Sequence, residues 1–123
     1  MSLFVDKQFT SHAGMRLDFK IDCDALTGSD IETLARIVAQ KHVFSEVIGV
    51  PRGGLRLAAA LEQYRMTTGC LLIVDDVLTT GTSMEEACAQ YSRDDVEGVV
   101  IFARGLCPTW IKPIFQLEDW AGP

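Results

Sequence analysis

The stretch from Leu71 to Ser83, Leu-Leu-Ile-Val-Asp-Asp-Val-Leu-Thr-Thr-Gly-Thr-Ser, constrains the fold more than any other part of the chain. The unbroken apolar run Leu71 to Val74 predicts a strand covered on both faces, as in a parallel sheet. Asp75 and Asp76 follow directly, at the carboxyl end of that strand, where open α/β sheets bind ligands. Thr79, Thr80, Gly81, Thr82 and Ser83 then lead into a helix, offering backbone N–H groups and hydroxyls of the kind that hold an anion. Carboxylates repel phosphate but accept hydrogen bonds from sugar hydroxyls. The segment reads as one sugar-phosphate pocket, the acids for a ribose diol and the loop for its phosphate. Either half alone is equally well a plain polar turn; their order and spacing give the specificity.

The flanking pattern alternates. Val47 to Val50 predicts a short buried strand, Pro51-Arg52-Gly53-Gly54 a turn, and Leu55 to Tyr64 a helix. A helix follows over about Ser83 to Tyr91, with Met84, Ala87, Cys88 and Tyr91 on one face. Val99 to Ala103 predicts a further buried strand and Ile111 to Leu117 a last one. Upstream, Ser29-x-x-Glu32 reads as a capping box opening a helix striped by Ile31, Leu34, Ile37 and Val38. Phe9 to Asp22 reads as a β-hairpin turning near Ala13-Gly14, with Leu17, Phe19 and Ile21 on one face. The order implies an α/β fold: a Rossmann-like parallel sheet flanked by helices, with right-handed crossovers and a short N-terminal hairpin. No repeat or linker divides residues 1–123, so a single domain is expected.

The formal charge of −6 disfavours general binding to nucleic acid or to an anionic membrane. It also leaves few cations to offset phosphates, so a phosphate site must lean on backbone amides, Mg²⁺ and a few local arginines. Arg52, with its fork of donors, suits a pyrophosphate, and Gly53 and Gly54 allow close backbone approach at the start of a helix. Alone, that turn is weak, because glycine turns after strands are common. Cys23, Cys70, Cys88 and Cys107 form no Cys-x-x-Cys pair and, with His12 and His42, no metal-ligand spacing. Buried free thiols in a reducing compartment are expected. No signal peptide and no apolar run of bilayer length is present, which predicts a cytoplasmic protein.

Leu71 to Ser83 resembles, position by position, the phosphoribosyl-diphosphate (PRPP) motif of type I phosphoribosyltransferases. The resemblance implies that Asp75 and Asp76 hold the ribose 2′- and 3′-hydroxyls, and Mg²⁺ directly or through bound water. It implies that Thr79, Thr80, Gly81, Thr82 and Ser83 hold the 5′-phosphate. Gly49 to Leu55, one βαβ unit upstream, resembles the pyrophosphate loop of the family, with Arg52, Gly53 and Gly54 as contacts. Asp75, Asp76 and Arg52 are then the candidate catalytic residues. Phe9 to Gly14 followed by Asp18 to Asp22 resembles the N-terminal hairpin of orotate phosphoribosyltransferases, a hood over the base; His12 stands where that family commonly has lysine. Phe19 and Lys20 fall where family residues line the base pocket, although an edge hairpin with Phe19 in the core explains them equally. Thr79 favours the orotate branch. Thr109-Trp110-Ile111 instead resembles a stretch of xanthine–guanine enzymes whose aromatic stacks on the base; Trp110 is also open to a core or dimer role. The resemblance covers roughly residues 9 to 22 and 46 to 105. It implies PRPP and a nucleobase as ligands, and a homodimer.

One departure is large. Between these two loops orotate enzymes insert a hairpin and a long basic loop that closes over the site of a neighbouring subunit. Here Ala58 to Cys70 has room for one helix and a turn, and Arg65 is its only basic residue. Two functions are therefore expected from different classes. One is Mg²⁺-dependent transfer of ribose 5-phosphate from PRPP to a base, an orotate-like pyrimidine ahead of a 6-oxopurine. The other is a sensor or interaction module that binds PRPP or a nucleotide without turnover.

Overall fold

The computed structural model describes residues 1–10 and 16–117. Strands β1 (Phe4–Thr10) and β2 (Arg16–Ile21) pair as an antiparallel hairpin, whose predicted turn at Ala13-Gly14 lies outside the described residues. There follow α1 (Gly28–Lys41), β3 (Phe44–Gly49), α2 (Leu55–Leu61), β4 (Cys70–Leu78), α3 (Thr82–Cys88), β5 (Val96–Ala103) and β6 (Ile111–Gln116). Strands β3, β4, β5 and β6 lie side by side in that order, every pair parallel. The α/β class, the helix-flanked parallel sheet and the front hairpin agree with the sequence pattern.

Alternation along β4 sends Leu72 and Val74 to one face of the sheet and Leu71 and Ile73 to the other, all completely buried. The first face packs under α1 and α2 through Leu34, Val38, Leu57 and Leu61. The second packs under α3 through Met84. Because neither face is wet, the strand reads as a continuous apolar run. A second consequence concerns handedness. The strands advance across the sheet in one direction, yet α2 and α3 lie on opposite faces, so the crossovers β3–α2–β4 and β4–α3–β5 have opposite hands. One of them is left-handed, against the expectation that both are right-handed. The face taken by α2 is set locally: Gly49 lies bare against the Gly54 carbonyl and the Ala58 methyl, which fixes the helix as it leaves β3.

Several boundaries differ from the sequence pattern, among them the two ends that follow. The cap of α1 is Thr27, whose hydroxyl accepts from Asp30 N at 3.0 Å while the Asp30 carboxylate accepts from Thr27 N at 2.8 Å. The capping box is thus Thr27-x-x-Asp30, and Ser29 already lies within the helix. Helix α3 stops at Cys88, with Gln90 and Tyr91 bonding three residues back, so Tyr91 turns out to solvent. All four cysteines are free thiols; Cys23 and Cys70 are buried, Cys88 and Cys107 only partly. Among the described residues no helix is long and apolar enough to cross a membrane.

Candidate functional site

Strand β3 pairs with β4 as far as Gly49 opposite Val74 and then leaves the sheet, whereas β4 continues beside β5 to Leu78. Past Val74 one edge of β4 is therefore bare of strand, and Asp75 and Asp76 stand at that step. The sequence pattern put the acids at the carboxyl end of the strand; β4 runs on past them to Leu78, and the early exit of β3 opens the site. Val50 N donates to Val74 O at 2.8 Å across the step. The chain then folds back so tightly that a β-carbon on Gly54 would overlap Val74 O, and one on Gly53 would overlap the Asp76 carboxylate. These glycines are needed first for the loop to close on β4. Gly54 N donates to Val50 O at 2.8 Å, so a contact of Gly54 with a diphosphate would be through close backbone approach rather than through this N–H. The Pro51–Arg52 peptide is cis.

The paired acids are divided between two hollows. Asp75, 7% exposed, lines a small one with Thr79 to Ser83 on the α3 side. Asp76, half-buried, lines a larger one with Arg52 and Gly53 on the other. Asp76 N donates to Asp75 Oδ1 at 2.8 Å and Val77 N to Asp76 Oδ1 at 2.7 Å. Burial first, and the Asp76 charge second, push the Asp75 carboxyl up to about 8, so it keeps its proton through most of the neutral range. In the small hollow the loop turns into α3 at Gly81, whose φ of 85° is the left-handed conformation that suits glycine. The Thr80 and Thr82 hydroxyls lie 2.9 Å apart, and no side chain caps α3. Thr79, Thr80, Gly81, Thr82 and Ser83 are thus gathered around one hollow with Asp75.

The larger cavity, about 470 Å³, brings Lys20, Arg52 and Arg56 together with Asp22, Asp24 and Asp76. Three cations face three acids, so the overall acidity of the chain does not carry into this cavity. Arg56 had no sequence signal beyond its place in α2. It braces the wall, donating to Leu26 O at 2.7 Å and Cys23 O at 3.4 Å. Burial, then the neighbouring Asp76 and Asp22, push the Cys23 thiol up to about 12, which makes it inert as a nucleophile.

The expected base-binding residues fare unequally. Lys20 lines the cavity. Phe19, the next residue back on β2, instead packs against Phe4 with ring centroids 6.1 Å apart and under the Arg104 guanidinium, 3.9 Å from the ring centroid. Arg104 is almost fully buried where β5 ends, and its guanidinium donates to Phe19 O at 2.5 Å. The only hint of it in the sequence is a charged residue placed directly after an apolar run. Trp110 is elsewhere: it lies over Gly98 and beside Met84 on the α3 face, its indole N–H donating to Glu85 Oε1 at 3.0 Å. That face is opposite the one bearing Asp76 and Arg52, so Trp110 packs α3 on the sheet and the stacking expectation fails. His12 lies outside the described residues.

No protein-family model and no curated protein matches the chain. Solved structures do. UMP synthase of Leishmania donovani superposes with a TM-score of 0.76 at 17% identity, over 96% of this chain and 34% of that one. Orotate phosphoribosyltransferase of Aeropyrum pernix gives 0.72 at 22% identity, over 94% and 89%. Purine phosphoribosyltransferase of Pyrococcus horikoshii Ot3 gives 0.57 at 19%, over 77% and 87%. The chain thus spans about a third of the UMP synthase and most of the orotate enzyme. It has the type I phosphoribosyltransferase fold.

Proposed function

We propose that this chain, built on the type I phosphoribosyltransferase fold, binds PRPP and transfers its ribose 5-phosphate to a nucleobase, an orotate-like pyrimidine ahead of a 6-oxopurine. The observation that carries this reading is the close approach of Gly53 to the Asp76 carboxylate. It joins the arginine–glycine loop to Asp76 in one cavity, while Asp75 lines the neighbouring hollow with the hydroxyl-rich loop.

In the proposed reaction the C1–oxygen bond of PRPP breaks, diphosphate leaves with the electron pair, and a ring nitrogen of the base takes its place, its N–H proton passing to the diphosphate or to water. The N–H groups and hydroxyls of Thr79 to Ser83 hold the 5′-phosphate. Asp75 and Asp76 accept from the ribose hydroxyls, which fixes the sugar relative to the leaving group. Arg52 donates to the diphosphate as its charge grows. Lys20 faces the base. Mg²⁺ arriving with the diphosphate would be held by Asp76 and, once it gives up its proton, by Asp75, directly or through water, and would supply the remaining positive charge. The donor set fits an ion that arrives with its substrate: among the described residues no three His, Cys, Asp or Glu side chains gather as a metal cage, and Mg²⁺ is commonly bound by one or two carboxylates plus phosphate oxygens. A homodimer goes with this reading.

A second reading, PRPP binding without transfer, is favoured by Arg65. The guanidinium of Arg65 donates to Ser45 O at 2.7 Å and to Glu62 at 3.1 Å. Ser45 lies near the start of β3, so the one cation between α2 and β4 is engaged at the opposite end of the sheet from Asp76. Titration calorimetry with Mg²⁺ and PRPP, with pyrophosphate release followed over orotate and 6-oxopurines, separates the two readings. Saturable binding lost in Asp76→Asn, with base-dependent release, supports transfer. Binding without release supports the sensor, and absence of binding overturns both.

A further inference from the structure

A second cavity, of about 440 Å³, opens on the face of the sheet that carries α1, at the amino ends of β5 and β6. Its floor is Val38 and Val99, both buried, and Ile37 and Ile114 form half-buried walls. Lys41 in the last turn of α1 and Lys112 in β6 stand on its rim. The PRPP-type cavity is on the same face at the other end: Val99 lines one, and Ile101, the next residue on that face of β5, lines the other. The cavity is therefore separate from the site described above.

Its charge is unusual for this chain. Two of the four lysines border this cavity, both exposed, and among the described residues neither pairs with a carboxylate. Glu97 is the one acid in the lining, and it is already engaged. Its Oε1 accepts from His42 Nδ1 at 2.9 Å. In a protein of net charge −6, two ammonium groups against the single Glu97 carboxylate leave the lining of this cavity net positive.

We infer that this cavity is a second ligand site, for a small organic anion whose carboxylate meets Lys41 and Lys112 and whose apolar body lies on Val38 and Val99. Its volume falls within the roughly 300–1,000 Å³ of small-molecule pockets, and the mix of apolar walls with a few convergent polar groups is what such pockets share. Lysine suits the rim because its stem packs on apolar surface while its head stays in water.

The test is titration of the full chain with 4-phenylbutyrate, read by backbone amide shifts in two-dimensional NMR. Saturable shifts centred on Ile37, His42, Val99 and Lys112, with a dissociation constant of about a millimolar or tighter, are expected. The uncharged 4-phenylbutanol is expected to bind about tenfold more weakly, and Lys41→Ala/Lys112→Ala to weaken the acid by a similar factor. Failure to saturate, shifts centred on Arg52 instead, or equal binding of acid and alcohol would each overturn the assignment. The alcohol comparison uses the unaltered chain, so the result stands whatever the double variant does to folding.

Discussion

At the carboxyl end of the sheet, Asp75 and Arg104 are almost wholly buried, and Gly53 and Gly54 lie against β4 with no room for a side chain. At the amino end many of the charges lie at or near the surface, and several of them pair. Arg93 meets Asp95 at 2.8 Å and Glu46 at 3.1 Å, Arg65 meets Glu62 at 3.1 Å, and His42 meets Glu97 at 2.9 Å. Burying a polar group is costly unless its hydrogen bonds are replaced, while exposed pairs contribute little either way. Asp75 carries such a cost, because burial and the Asp76 charge disfavour its ionised form, and that cost lies at the hollow lined by Thr79 to Ser83.

The severest break in this contrast is expected from Gly54→Ala. The added methyl meets Val74 O and Val50, both backbone, so the loop must lift from β4. A loss of about 3 kcal/mol is expected, at the upper end for overpacking, measured by urea denaturation. Gly28→Ala is the control, because a β-carbon there meets nothing within 4 Å. Equal, small effects at both positions would mean that the carboxyl end is no tighter than the surface.

Asp75→Asn sharpens the contrast through pH. The Asp75 carboxyl is pushed up to about 8 in the folded chain, against about 4 when unfolded. Below pH about 4 both states hold the proton and the stability is undiminished. As pH rises towards 8 the unfolded chain releases a proton that the folded chain keeps, so stability falls. The asparagine variant lacks this fall and should gain on the parent by roughly 3–4 kcal/mol between pH 5 and 8. Denaturation midpoints of the two proteins that stay parallel over this range would remove the electrostatic cost assigned to the site.

How much of this was legible in the sequence depended on how far apart the interacting residues lie. The strands β4 and β5 were, because burial on both faces writes itself as a continuous apolar run. The order acids, hydroxyls, helix was legible because it is contiguous. What depended on distant partners was not. Arg104 and Phe19 are 85 residues apart. Trp110 matched a short motif, but its position is set by Gly98, Met84 and Glu85. The hand of the crossovers turns on which face α2 takes, decided by packing on Gly49. The commitment of Gly54 N to Val50 O belongs to the turn geometry, which the letters Pro-Arg-Gly-Gly do not specify.

Arg52→Ala separates binding from folding at the carboxyl end. Arg52 is exposed on the loop and lines the larger cavity, so stability should hold within about 0.5 kcal/mol. Affinity for PRPP should fall by about 1.5 kcal/mol, roughly tenfold, the lower range for a hydrogen bond to a charged group. Calorimetry and urea titration on one preparation check both. An unchanged affinity would detach the arginine–glycine loop from the diphosphate.

The smallest effect is expected at the other end, from Arg93→Ala. Arg93 holds Asp95 through Nε at 2.9 Å and a terminal nitrogen at 2.8 Å, a two-point contact, and reaches Glu46 at 3.1 Å. The Asp95 contact spans two residues of sequence and orders little chain, and the Glu46 and Asp95 side chains are both 55% exposed. The reach to Glu46 ties β3 to the start of β5 through water-exposed charge, and a longer contact to Gly69 O at 3.4 Å reaches the turn before β4. The urea midpoint should therefore move little at low salt and not at all once salt screens the pair. A large, salt-resistant loss would show that the amino end carries the fold through its charges, and the contrast between the two ends would no longer be one of buried cost against surface neutrality.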